Sequence, residues 1–99
     1  MNEIIELEKF LGFSFTELKG ISEPMFILYS RYTRHYSRSP EGKIIGLNLA
    51  NNQLTSNDLP QQLAELCPDL QYLNLNRNAF SHLDFNQSLP FLKVLDLSV

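Results

Sequence analysis

Arg31, Arg34, Arg38 and Lys43 place four cations within residues 31–43, against the single carboxylate of Glu41. Tyr32 and Tyr36 lie between them. Guanidinium and ammonium groups attract phosphates and carboxylates, and aromatic rings stack on bases. The stretch is therefore a candidate patch for nucleic acid or an acidic partner. The arginines also stand at i, i+3 and i+7, which is the spacing of a solvated face on an ordinary amphipathic helix. The whole chain has a net charge of −3 and a pI near 5.2, which argues against nucleic-acid affinity of the domain as a whole.

Little else in the chain has the spacing of a reactive site. His35, His82 and Cys67 do not form a metal-ligand spacing. Ser81, His82 and Asp84 are neighbours in sequence, but a nucleophilic triad is defined by geometry and not by co-occurrence. There is no glycine-rich phosphate loop and no pair of carboxylates at a defined separation. The expectation is a binding protein rather than an enzyme, with no cofactor and no metal. Cys67, followed by Pro68, reads as a small buried hydrophobe.

The elements that must position these residues are dominated by a repeat. Ile44-x-x-Leu47-x-Leu49-x-x-Asn52-x-Leu54 returns as Leu70-x-x-Leu73-x-Leu75-x-x-Asn78-x-Phe80 and begins again as Leu92-x-x-Leu95-x-Leu97. The starts lie 26 and then 22 residues apart. Leucines two apart share one face of a short strand. Gly46, Asn48, Ala50, Tyr72, Asn74, Asn76, Val94, Asp96 and Ser98 then share the other. Between the strands, Leu59, Leu63 and Leu66 have helical spacing, with Ser56, Asn57 or Asp58 as caps and Pro60 in the first turn. Leu83, Phe85, Leu89 and Phe91 supply the same apolar layer in the second unit.

Residues 44–99 resemble the leucine-rich repeat family through these motifs. The resemblance implies an α/β solenoid of about three repeats, at 44–69, 70–91 and a partial 92–99, with a short parallel sheet. It implies that Asn52 and Asn78 form a structural ladder at the strand ends. It also implies binding of a protein partner on the concave face, through Asn48, Tyr72, Asn74, Asn76, Asp96 and Ser98. The runner-up function is nucleic-acid or acidic-partner binding through Arg31, Arg34, Arg38 and Lys43.

Residues 1–43 are expected to form a helical cap over the first repeat, because a solenoid must hide its apolar end. Ile4, Leu7, Phe10 and Leu11 predict a helix over 3–11, stopped by Gly12. Ser14 and Glu17 have capping-box spacing. Met25, Tyr29, Tyr32 and Tyr36 predict a longer helix over 24–37. Ser39-Pro40-Glu41-Gly42 is a turn into the first strand. Ninety-nine residues with 43% hydrophobic and 19% charged side chains suit one soluble domain. No apolar run is long enough to span a bilayer, and the acidic N-terminus is unlike a signal peptide. Extracellular relatives of the repeat family carry cysteine-paired caps, and one cysteine makes no pair, so an intracellular setting is expected. The third unit stops one position before its ladder asparagine. That predicts a fragment of a longer repeat protein, or self-association through an open C-terminal repeat.

Overall fold

The computed structural model describes residues 3–19, 24–55, 58–80 and 89–97. Among them, two α-helices stand on a five-stranded mixed sheet of order β1-β2-β3-β4-β5. The strands are β1 Thr16–Glu17, β2 His35–Arg38, β3 Ile44–Asn48, β4 Tyr72–Asn74 and β5 Val94–Asp96. The helices are α1 Glu3–Leu11 and α2 Leu59–Leu66. Strands β3, β4 and β5 are parallel, with Gly46, Tyr72 and Val94 in one row and Leu47, Leu73 and Leu95 in the next.

The leucine face of these strands makes the core. Leu47, Leu49, Leu73 and Leu75 are buried with Ile4 and Leu7 of α1 and Leu59 and Leu63 of α2. Gly12 ends α1 in the left-handed region at φ 85°, and its amide donates to the Glu8 carbonyl. The Ser39–Gly42 turn closes with the Gly42 amide donating to the Ser39 carbonyl at 2.9 Å. It joins β2 to β3 as an antiparallel hairpin.

The solenoid expectation is overturned. The chain is a small α/β domain whose sheet continues past β3 into β2, which runs antiparallel, and into β1. A solenoid stacks like-oriented units and leaves the first strand to a cap. Here residues assigned to the cap hydrogen-bond into the sheet itself. The helical cap is corrected in two places. Thr16–Glu17, expected to begin a helical turn, is a strand beside β2. The expected helix over 24–37 is instead two short 3₁₀ helices, Pro24–Leu28 and Ser30–Tyr32, followed by β2.

The physical reason lies at Gly46. A Cβ there would collide with Ser37 Oγ and come within 2.9 Å of Ile27 Cγ2. The bare glycine lets Ile27, fully buried, seat directly on the sheet face opposite the leucines. Packing of Ile27 and ladder pairing of β2 outweigh the helical spacing of residues 24–37, since intrinsic helix preference is a weak force beside tertiary contact. The expected apolar layer of the second unit is also revised at Phe91, which is 58% exposed. Leu83 and Phe85 lie outside the described residues, as do the candidate caps Ser56 and Asn57. Asp58 occupies the N-cap of α2 without a side-chain capping bond.

Candidate functional site

The face opposite the leucines was expected to lie open to solvent. It does not do so uniformly. Asn48 on β3 and Asn74 on β4 are buried, at 0% and 2% exposure. The Asn48 amide donates to the carbonyls of Ile27 at 2.7 Å and Tyr29 at 2.8 Å. The Asn74 amide donates to the Leu28 carbonyl at 2.8 Å. Their Oδ1 atoms accept from the backbone amides of Ala50 and Asn76. These two asparagines therefore fasten the 3₁₀ segment to the sheet. A short helix of this kind leaves carbonyls without internal partners, and burial makes those partners necessary.

Tyr72, Asn76 and Asp96, also expected on this face, are half-buried and keep solvent access. Val94, in register with Tyr72, is half-buried too. Burial thus falls across the face from β3 toward β5. Met25 and Tyr29 of the covering segment are exposed, at 50% and 54%. Ser98 lies outside the described residues.

The basic residues do not share one helix face. Arg31 sits on the second 3₁₀ helix with its guanidinium 5.9 Å from the Tyr32 ring. Arg34 is in the left-handed region at φ 60°, donates from Nε to Asn52 Oδ1 at 2.7 Å, and lies over the Phe13 ring at 4.3 Å. Arg38, on β2, donates to the Gly42 carbonyl and lies 5.4 Å from the Tyr36 ring. Lys43 Nζ is 3.8 Å from the Asp69 carboxylate. Arg34 and Arg38 are used locally to hold the β2 hairpin and its flanks.

Asn52 and Asn78 stand at the strand ends. The Asn78 carboxamide accepts from the backbone amides of Asn52 and Leu54, both at 3.0 Å. It donates to the carbonyls of Leu49 at 2.8 Å, Leu75 at 3.1 Å and Asn76 at 3.3 Å. Asn52 makes the corresponding turn on β3, donating to the Ala50 carbonyl and to Thr33 Oγ1.

These turns enclose a cleft of about 260 Å³ at the carboxyl ends of β3 and β4. Leu28 and Thr33 line one side; Ala50, Asn51, Asn74, Asn76 and Arg77 line the rest. Asn51 and Arg77 both adopt left-handed backbone, at φ 60° and 57°. The exposed Arg77 makes no hydrogen bond, ion pair or ring contact among the described residues, unlike Arg31, Arg34 and Arg38. Sequence reasoning missed Arg77, Asn51, Thr33 and Leu28. A signal was present: Asn51 and Arg77 stand at the same repeat position, each just before a ladder asparagine.

Cys67 is buried, and burial, with a smaller push from Glu3, raises its thiol pKa to about 12. His35 Nδ1 is 2.9 Å from the Thr33 carbonyl oxygen, and its ring meets Tyr32 edge-on. His82 lies outside the described residues. Among the described residues no group of histidine, cysteine, aspartate or glutamate has a metal-binding arrangement, and no helix is long and apolar enough to cross a membrane.

Fold and site together define a small mixed α/β domain with a half-covered polar sheet face and a polar cleft at its strand ends. No protein family, curated protein or solved structure matches the chain.

Proposed function

We propose that this chain is a protein-interaction module, acting inside the cell, whose partner lies over the β4–β5 part of the polar face. Tyr72, Asn76 and Asp96 carry the contact, flanked by Met25 and Tyr29. The observation that supports this is the burial gradient. Asn48 and Asn74 are consumed by the 3₁₀ segment, which itself exposes Met25 and Tyr29, while Tyr72, Val94 and Asp96 of the same face keep solvent access. Tyrosine beside polar groups is typical of interface anchors. The intracellular setting rests on the single cysteine, which makes no disulfide.

The test is affinity capture with the wild-type chain, the double variant Tyr72→Ala/Asp96→Ala, and Arg31→Ala. A partner retained by wild type and Arg31→Ala and lost by the double variant supports the reading, provided the double variant unfolds at the same urea concentration. A partner profile identical in all three overturns it.

Self-association is a second reading, favoured by Phe91 and Leu97 at 58% and 45% exposure on either side of β5. Nucleic-acid binding through residues 31–43 is the weaker candidate, because two of its three arginines already hold backbone or side-chain acceptors.

A further inference from the structure

We propose that the cleft at the carboxyl ends of β3 and β4 receives an aspartate or glutamate side chain of the protein partner, with Arg77 as its cationic anchor. The inference rests on the protein-interaction reading and names the partner's chemistry at one point of the surface.

Placement is the first support. In open α/β sheets, ligands bind outside the carboxyl ends of the strands, where loops diverge and leave a crevice. This cleft lies at those ends of β3 and β4, and beside the reversal of direction between β3 and β2. Thr33, just before β2, forms its wall because antiparallel pairing brings the start of β2 to the end of β3.

Size is the second. About 260 Å³ is below the range of about 300–1,000 Å³ typical of pockets for cofactors and drug-sized ligands. It suits a single side chain, which is how interface anchors engage.

Charge is the third. The lining holds one cation, Arg77, and no carboxylate. The side chains of Thr33, Asn51 and Asn76 add polar groups around it. Arg34 and Arg38 are committed elsewhere, and Lys43 and Lys9 lie near Asp69 and Glu6. Arg77 is exposed and carries no such contact among the described residues, so its planar fork of donors is available to a carboxylate. Left-handed backbone at Arg77 recurs at Asn51 across the cleft, so both project from equivalent turns.

The experiment uses the whole chain and a fluorescein-labelled, C-terminally amidated glutamate hexapeptide, with its glutamine counterpart and a labelled oligothymidylate of the same length. Fluorescence anisotropy reads binding, and amide chemical shifts of the ¹⁵N-labelled chain read location. The expected result is saturable binding of the glutamate peptide and not of the glutamine peptide. Arg77→Ala should weaken binding about tenfold or more, and Arg31→Ala should leave it within about twofold, where tenfold corresponds to about 1.4 kcal/mol. Amide shifts should centre on Thr33, Asn51 and Asn76.

Equal weakening by Arg31→Ala and Arg77→Ala would overturn the site, since that is diffuse attraction. Shifts away from the cleft would overturn it, as would tighter binding of the oligothymidylate, which would mean phosphate recognition. The underlying reading fails separately. A captured partner lost by Tyr72→Ala/Asp96→Ala and fully retained by Arg77→Ala keeps the interaction module and removes the acidic anchor.

Discussion

Asn48 donates its side-chain amide to the carbonyl of Ile27 across 2.7 Å, joining the centre of the sheet to a 3₁₀ helix 21 residues earlier. The same nitrogen reaches the Tyr29 carbonyl at 2.8 Å. A side chain that by register belongs to an outward face is thereby a fully buried tether. Asn48→Ala should destabilise the fold by about 2–6 kcal/mol, because it takes the side-chain partner from the Ile27 carbonyl and the Ala50 amide, both in buried bonds, each at roughly 1–3 kcal/mol. Urea titration measures the loss, and hydrogen exchange should show residues 24–32 opening first. Unchanged exchange in that segment would refute the tether.

Asn78→Leu should cost more stability than Asn76→Leu. The Asn78 carboxamide serves two backbone amides and three carbonyls at the β3 and β4 turns, so its loss should cost about 1–3 kcal/mol. Asn76 is half-buried and lines the cleft, its side chain outside those bonds. Equal urea midpoints for the two variants would contradict the assignment.

Gly46→Ala should destabilise by about 1–3 kcal/mol through overpacking. Its new methyl meets both Ser37 Oγ and Ile27 Cγ2. Ser37 Oγ is buried and has no hydrogen-bond partner among the described residues. Ser37→Ala alone should therefore leave stability equal or raise it, and in the Gly46→Ala background it should recover part of the loss. Full additivity of the two changes in a thermal-melt cycle would show that the close approach is absent.

The Cys67 thiol predicts an alkaline loss of stability. In the unfolded chain it ionises near its ordinary value of 9.0, whereas burial holds it protonated to about 12 in the fold. Between those values the folded state retains a proton that the unfolded state releases. Stability is unaffected below about pH 9 from this source and falls as pH rises toward 12, by up to about 1.4 kcal/mol per pH unit. Urea titrations at pH 8 and pH 11 should show a steeper decline for wild type than for Cys67→Ala. Native Cys67 should also resist iodoacetamide at pH 8 until the chain is unfolded.

Leu97→Lys tests self-association. The repeat spacing places Leu97 with the core leucines, yet it is 45% exposed, so the substitution leaves the buried leucines in place. If Phe91 and Leu97 meet a second copy, light scattering at tens of micromolar should find dimers in the wild type and monomers in the variant. A monomeric wild type would end that reading.

The leucine repeat marked β3, β4 and β5 and which of their residues lie on the leucine side, because period two fixes which residues share a face. It could not say what lies over that face. Asn48 and Asn74 were placed on the correct side of β3 and β4, but their burial depends on Ile27, Leu28 and Tyr29 from a distant segment. That segment misled for a physical reason. Met25, Tyr29, Tyr32 and Tyr36 fit a helix locally, yet Tyr36 and Ser37 point to opposite sides of a strand whose partner, β3, is supplied by the turn at 39–43. The continuation of the sheet beyond β3 and the cleft at Arg77 both arise from long-range pairing, which spacing within one segment does not encode.

The hairpin that reverses the sheet also sets an order of events in time. Joining β2 to β3 closes only residues 39–43, whereas joining β3 to β4 must first close the stretch 49–71 and its helix. Loop-closure entropy rises with that separation, and hairpins form in about 1–10 μs. The antiparallel pair should therefore be the earliest native strand pairing. The parallel strands then add to it one at a time toward β5, so a slowly closing β3–β4 step, and not the hairpin, would govern the folding rate.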